Sequence, residues 1–351
     1  MNPDRRIRLK DIAAEANLSV SAVSMALKND QTMSSRTVER VKQLAEDMGY
    51  KPDPALSALS AYRSKLRVQH QFSVIGLVTN WTEKDLWTSQ ARQKQVIQGA
   101  EKRALQLGFS LQHFWAREPG VSNKRFSQIL RARGIRGLIL APFENNDDEL
   151  DLEWNQFSVV TISRPSRYTL FHHVVQNHYM DMLLCWKKIL DRGYRRVGLV
   201  VQKKIDMRWS NQWDAAHIFS QQQSGSVEDM IPVLRVEGED DLDTIRGWLR
   251  DYRPQVVISR CHHFLEAVRL EGLKIPDDIA YISLNVNEDI ADATGISHRR
   301  DLLGAMAVDV LNSLLQRNHT GPDEVPHGTQ IDGIWHEGST LPPLVQPVRS
   351  V

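Results

Sequence analysis

Apolar and polar positions follow two rhythms along this chain, changing near residue 70. Leu9, Ile12, Ala13 and Ala16 recur at the i, i+3, i+4, i+7 spacing of one helix face, which predicts a short first helix with a buried stripe. Asn17 stands where the chain must turn, and asparagine tolerates the left-handed backbone better than most residues. Ser19 is a good N-cap for a second helix, with Val20, Val23 and Leu27 facing inward and Ser21, Ala22 and Ser24 facing outward. Small polar residues at a helix start allow close approach to base edges and phosphates. The same spacing also fits any compact pair of antiparallel helices, so it leaves both readings open.

Ser34 or Ser35 caps a third helix striped by Val38, Val41, Leu44, Ala45 and Met48, and Gly49 ends it. Pro52 and Pro54 stop that helix, and Pro54 to Tyr62 can form a further turn or two carrying Leu56 and Leu59. So short a helix needs a partner to order it, and a plain linker is the alternative. Arg63, Lys65 and Arg67 follow as a basic tether. From Phe72 onward, near-continuous apolar runs such as FSVIGLVTN, GLILAPF, FSVVTISR, RVGLVV, QVVIS and IAYISL alternate with helical segments. Repeated βα units of this kind predict parallel sheets with right-handed crossovers.

Composition alters this picture little: at 351 residues with 41% hydrophobic and 25% charged, the chain has material for two or three ordinary globular domains. Charge distribution adds more than the net charge of +1, since residues 1 to 70 hold twelve Lys or Arg against eight Asp or Glu. A basic head on a slightly acidic body suits attraction of phosphate by one end. Cys185 and Cys261 follow no metal spacing and are expected as buried free thiols of a cytoplasmic protein. No secretory leader or membrane span is expected from the charged opening MNPDRRIRLKD or from any later stretch. No strand is followed by a phosphate-cradling glycine motif or a serine nucleophile elbow, so neither a cofactor nor a catalytic residue is expected. The pairs His172–His173 and His262–His263 are expected as surface or loop residues, and no metal ligand is assigned.

Read together, LKDIAAEANLSVSAVSMAL, TVERV, MGYKPDPALSAL, VIGLV, ARGIRGLILAP, LDRGYRRVGLV, LEGLKIPDDIAYISLN and TGISHRRDLLGAMAV resemble successive landmarks of the LacI/GalR transcriptional regulators. The resemblance implies an α/β body of two doubly wound parallel-sheet subdomains, periplasmic-binding-protein-like type I, behind an all-α helix-turn-helix DNA-binding domain. It implies a head at 1–50, a hinge helix and linker at 51–71, and a first subdomain at 72–164 plus 299–325. The second subdomain takes 165–298 plus 326–340, leaving a flexible tail at 341–351. The partners implied are a double-stranded DNA operator, a second copy of the chain in a homodimer, and an effector in the interdomain cleft that is a sugar, sugar acid or phosphate.

For DNA, the resemblance points to Lys10, Ser19, Ser21, Ala22, Ser24, Met25, Thr32, Ser34 and Lys51, with Leu59 as the leucine wedged into a minor-groove step. Met25 stands where an arginine or polar residue is common, which favours apolar contact with a thymine methyl. Arg8 stands where a threonine usually caps the first helix, at a cost of ~1 kcal/mol of head stability. Asp53 and Ala58 alter the hinge. For the effector it points to Trp81, Arg164, Arg208, Arg260 and Asn285, and so many arginines suit an acidic ligand. Trp209 and Trp213 are candidates either for stacking on a sugar or for interdomain packing. A sugar-binding transport protein with the same body predicts a leader and no head, and an α/β enzyme predicts a paired acid and base.

Overall fold

The computed structural model describes residues 7–27, 33–50, 73–145, 148–164, 170–208, 210–224, 227–237, 241–286 and 292–344, with Arg208 described by its backbone alone. Helices α1 (Leu9–Ala16), α2 (Val20–Leu27) and α3 (Ser35–Asp47) open the chain. They close on one small core of Ile12, Ala13, Ala16, Val23, Ala26, Val41 and Ala45. Four alanines in that core let the helices approach closely, while half-buried Leu9, Leu18, Leu27, Val38 and Met48 seal its rim. Val20 corrects the expected inward face, because it is 47% exposed and Ala26 is buried instead. Side chains tilt toward the start of a helix, so the first residue of α2 points past the core rather than into it.

The strands in chain order are β1 (Ser73–Thr79), β2 (Phe109–Trp115), β3 (Gly137–Leu140), β4 (Ser158–Ile162), β5 (His172–Gln176) and β6 (Val197–Gln202). They continue as β7 (Leu234–Val236), β8 (Val256–Ser259), β9 (Ala280–Ser283), β10 (Gly295–Ser297), β11 (Gly328–Ile331) and β12 (Ile334–His336). Between them run α4 (Leu86–Ser89), α5 (Ala91–Gln106), α6 (Asn123–Ala132), α7 (His178–Asp191), α8 (Lys203–Arg208), α9 (Gln212–Ser224), α10 (Leu242–Tyr252), α11 (His262–Leu270) and α12 (Arg300–Gln316).

Two six-stranded sheets result, ordered β11-β5-β4-β3-β1-β2 and β12-β10-β9-β8-β6-β7. In each, the first strand of a βα series pairs in parallel with both the second and the third. This is the doubly wound arrangement, and it reverses direction beside β1 and again beside β6. Strands β1, β3, β4, β8 and β9 are buried almost throughout, as the apolar runs predict for strands covered on both faces. Among the described residues no helix is long and apolar enough to cross a membrane.

The chain divides into two compact units: 1–162 with 166–173 and 304–327, and 163–165 with 174–303 and 328–351. In the first, α12 lies so close to α5 that a Cβ on Gly304 would stand 1.9 Å from the Val96 carbonyl oxygen. In the second, Leu341 is buried, the Tyr194 hydroxyl donates to the Pro342 carbonyl at 2.8 Å and Leu344 N–H donates to the Arg192 carbonyl at 2.9 Å. The start of the expected flexible tail is therefore anchored, with Leu341 buried and Pro342 and Leu344 hydrogen-bonded to the second unit.

Candidate functional site

The helix-turn-helix is built by side chains that satisfy the open ends of its helices. Arg8 has no acceptor to offer α1, and instead the Asp11 carboxylate reaches back to accept the Arg8 backbone N–H at 2.8 Å. Asn17 adopts the left-handed conformation at φ 53°, and Leu18 N–H returns to the Ala13 carbonyl at 3.0 Å, ending α1 sharply. The Ser19 hydroxyl then accepts the Ala22 N–H at 3.1 Å and sits 3.0 Å from the Ser21 hydroxyl. Its main task is therefore the cap of α2. Ser34 does the same for α3, accepting the Thr37 N–H at 3.3 Å.

On α2, Ser21 and Met25 are exposed while Ala22 and Ser24 are half-buried, so the outward face has two protruding side chains and a shallow floor. Lys10 is exposed on α1. A guanidinium that sequence reasoning missed fastens the unit: Arg40 donates to the Ala16 carbonyl at 3.1 Å, pinning α3 to the end of α1. Nothing in the apolar spacing of α3 marked it, since Arg40 is exposed and lies off the stripe. Thr32, Lys51, Asp53, Ala58, Leu59, the Pro54–Tyr62 segment and the basic tether lie outside the described residues.

In the body, the five residues assigned to an effector all follow carboxyl ends of strands. Trp81 comes after β1, and its half-buried indole N–H donates to the Pro142 carbonyl at 2.7 Å. Arg164 comes two residues after β4 and is exposed. Arg208 ends α8, which follows β6. Arg260 is half-buried directly after β8. Asn285, after β9, is wholly buried, and its Oδ1 accepts from Arg300 at 3.0 Å while its Nδ2 has no acceptor among the described residues. Arg300 was not singled out by the sequence, and the same is true of Arg117, which pairs with Asp148 at 3.1 Å near Asn80.

Two expectations are corrected. Trp213 is 2% exposed within the core of the second unit, where its ring meets that of His178 at 4.6 Å, so it does not offer a face to a ligand. Trp209 lies outside the described residues. His172 and His173 are buried on β5 rather than at the surface, because His172 Nδ1 accepts the His327 N–H at 2.9 Å and its Nε2 faces Asp323 at 3.4 Å. His262 and His263 start α11, exposed and half-buried respectively. Cys185 and Cys261 are buried and free.

Ionisable groups buried in the second unit depart from their ordinary behaviour. Burial pushes His178 down to about 4 and His217 down to about 3. Burial, reinforced by the Asp214 charge, lifts Asp206 to about 6. Asp181 goes the other way, held low by its hydrogen bonds with His178 and His298 against the opposing effect of burial.

Residues 8–53 match the family described as bacterial regulatory proteins, lacI family. The chain is 20% identical over 319 residues to the HTH-type transcriptional repressor PurR of Pasteurella multocida, covering 86% of this chain and 90% of that protein. It is 22% identical over 347 residues to the HTH-type transcriptional regulator GalR of Streptococcus thermophilus, covering 92% and 97%. In fold it is similar to a Lac repressor dimer bound to operator and the anti-inducer ONPF, with a TM-score of 0.56, 18% identity, and 96% and 100% of the two chains covered. A transcriptional regulator CelR–cellobiose complex gives 0.56, 16%, 95% and 100%. The head at residues 8–53 thus matches the lacI family of bacterial regulatory proteins, and the doubly wound body that follows it in the sequence is similar in fold to LacI-type regulators.

Proposed function

We propose that the chain is a repressor that binds a palindromic operator as a homodimer in the cytoplasm, under control of a small-molecule effector held by its body. The observation that carries the DNA half is α2 itself: its cap is satisfied internally by Ser19, leaving Ser21 and Met25 exposed to read bases over the shallow floor of Ala22 and Ser24. Lys10, Thr32, Ser34 and Lys51 are assigned to phosphates, and Leu59 to a minor-groove wedge. The family match at 8–53 supports the assignment of residues 1–50 to DNA, and the hinge at 51–71 is proposed from the resemblance of MGYKPDPALSAL. The operator-bound Lac repressor dimer is a fold relative that supports the dimeric, operator-reading half.

The effector half rests on Trp81, Arg164, Arg208, Arg260 and Asn285, because ligands of open α/β sheets sit beyond the carboxyl ends of the strands. The buried Asn285 amide with an open donor is the feature that most needs a ligand or water oxygen. Arginines in this set favour a sugar acid or phosphate over a neutral sugar. The test is fluorescence anisotropy of a selected operator with sugars, sugar acids and sugar phosphates added in turn. An anionic ligand is expected to shift operator affinity at least about tenfold, a coupling of ~1.4 kcal/mol. No shift with any of the three classes contradicts the effector assignment.

A further inference from the structure

His178 and Asp181 lie one turn apart at the start of α7, and His298 follows β10 directly. All three are buried, at 3%, 1% and 8% exposure. Asp181 Oδ2 stands 3.3 Å from His298 Nε2 and 3.7 Å from His178 Nδ1, and one ligand atom from each residue lies within 4.8 Å of the others. The His298–Asp181 hydrogen bond at 3.3 Å and the His178–Asp181 contact at 3.7 Å are both stretched relative to the about 2.7–2.9 Å of a charge-assisted hydrogen bond. These separations are close to the edges of a tetrahedral ligand shell, about 3.3 Å when each ligand is ~2.0–2.1 Å from zinc.

We propose that His178 Nδ1, Asp181 Oδ2 and His298 Nε2 bind a divalent transition-metal ion of the zinc class, with water as the fourth ligand. Two imidazoles and one carboxylate suit zinc, cobalt or nickel, whereas magnesium and calcium select oxygen-only shells. The carboxylate is already oriented, since Asp181 Oδ1 accepts the Gly333 N–H at 2.7 Å. Gly333 has to lack a side chain here, because a Cβ would stand 2.8 Å from that oxygen and 2.4 Å from Ile296 Cγ2. The His178 ring is braced by Trp213. A bound cation supplies the counter-charge that a carboxylate this deeply buried requires.

A second group, His172, His319 and Asp323 in the first unit, shows what a non-metal arrangement looks like. There His172 Nδ1 accepts a backbone N–H, so the neutral ring carries its proton on Nε2 toward Asp323, and that nitrogen has no lone pair for a metal. The position of the proposed site also gives it a role. Its two histidines and Gly333 each lie within five residues of 174, 303 or 328, the points where the chain enters or leaves the second unit. A bound ion cross-links these segments inside that unit.

The test uses the full chain, stripped with a chelator and titrated with Co2+. The expected result is one Co2+ per chain with the visible absorption of a tetrahedral nitrogen and oxygen site, displaced by Zn2+. His298→Gln is expected to weaken binding about tenfold or more, and His319→Gln to leave it unchanged. Thermal unfolding of the unmutated chain should rise with Zn2+ and fall back with chelator, a readout that holds even if His298→Gln folds poorly. Absence of both saturable Co2+ binding and a Zn2+-dependent shift overturns the proposal. So does a thiolate charge-transfer band, or loss of binding in His319→Gln. No DNA enters these assays, so their outcome is separate from that of the regulator reading.

Discussion

The two sheets share one strand order yet fill their interiors differently. The first unit packs Phe114, Phe126, Leu130, Leu138, Leu140, Phe157 and Val159 into a core of carbon. The second buries His178, Asp181, Asp206 and His217 at 3% exposure or less beside its apolar cluster. A doubly wound sheet is thus indifferent to whether its interior carries ionisable groups, provided each finds a partner or stays neutral. The difference makes stability of the second unit depend more strongly on pH, while in the first His172, pushed down by burial, is the exception to a core held by packing.

The largest effect that sharpens this contrast is Phe157→Ala, which removes a wholly buried ring from the first core. A loss of about 3–5 kcal/mol is expected from denaturant unfolding, equal at pH 5 and pH 8. His217 comes next. Burial holds it at about 3, so on acidification below its ordinary 6.5 the unfolded chain takes up the proton first. Its contribution is full above 6.5 and falls as pH drops toward 3, by about 4 kcal/mol. His217→Gln keeps an acceptor for the Trp186 indole N–H, which reaches His217 Nδ1 at 3.2 Å, and should flatten that acid limb in unfolding curves taken across the range.

Asp206 breaks the contrast in the opposite sense. Raised to about 6 from 3.8, it is held protonated more tightly by the folded chain, so its contribution is full below 3.8 and lost as pH rises through 6. Asp206→Asn should stabilise the chain by about 1–2 kcal/mol at pH 8, an advantage that shrinks below pH 4 in thermal scans. The smallest effect lies outside both sheets: Ser34→Ala removes the cap of α3 and should cost about 1 kcal/mol of head stability, read as a lower melting temperature of the head's helical signal.

What the sequence disclosed follows the range of the forces involved. The caps Ser19 and Ser34 and the turn at Asn17 act within three or four residues, so their chemistry is written locally. The long apolar strands and the α/β class are equally plain, because burial on both faces forces a continuous apolar run. Short partly polar strands such as β5, β11 and β12 carry no such run. Their partners are set by tertiary pairing, and this is why His172 and His173 read as surface residues. Trp213 misled for a related reason: an aromatic side chain fits a ligand face and a core equally well, and contact with His178 decides between them. The arginine at 300 gains meaning only through its bond to Asn285, fifteen residues earlier.

The central claim is that α2 reads DNA sequence, and selection of the full chain on random duplex DNA tests it most directly. Enrichment of an inverted repeat whose half-sites are spaced for two heads is expected, with binding that weakens steeply as salt rises. Substituting the exposed pair, Ser21→Ala with Met25→Ala, should change the bases enriched in each half-site while leaving the head folded. Failure to enrich any sequence at any salt or with any ligand class, or an unchanged motif from the double variant, contradicts it.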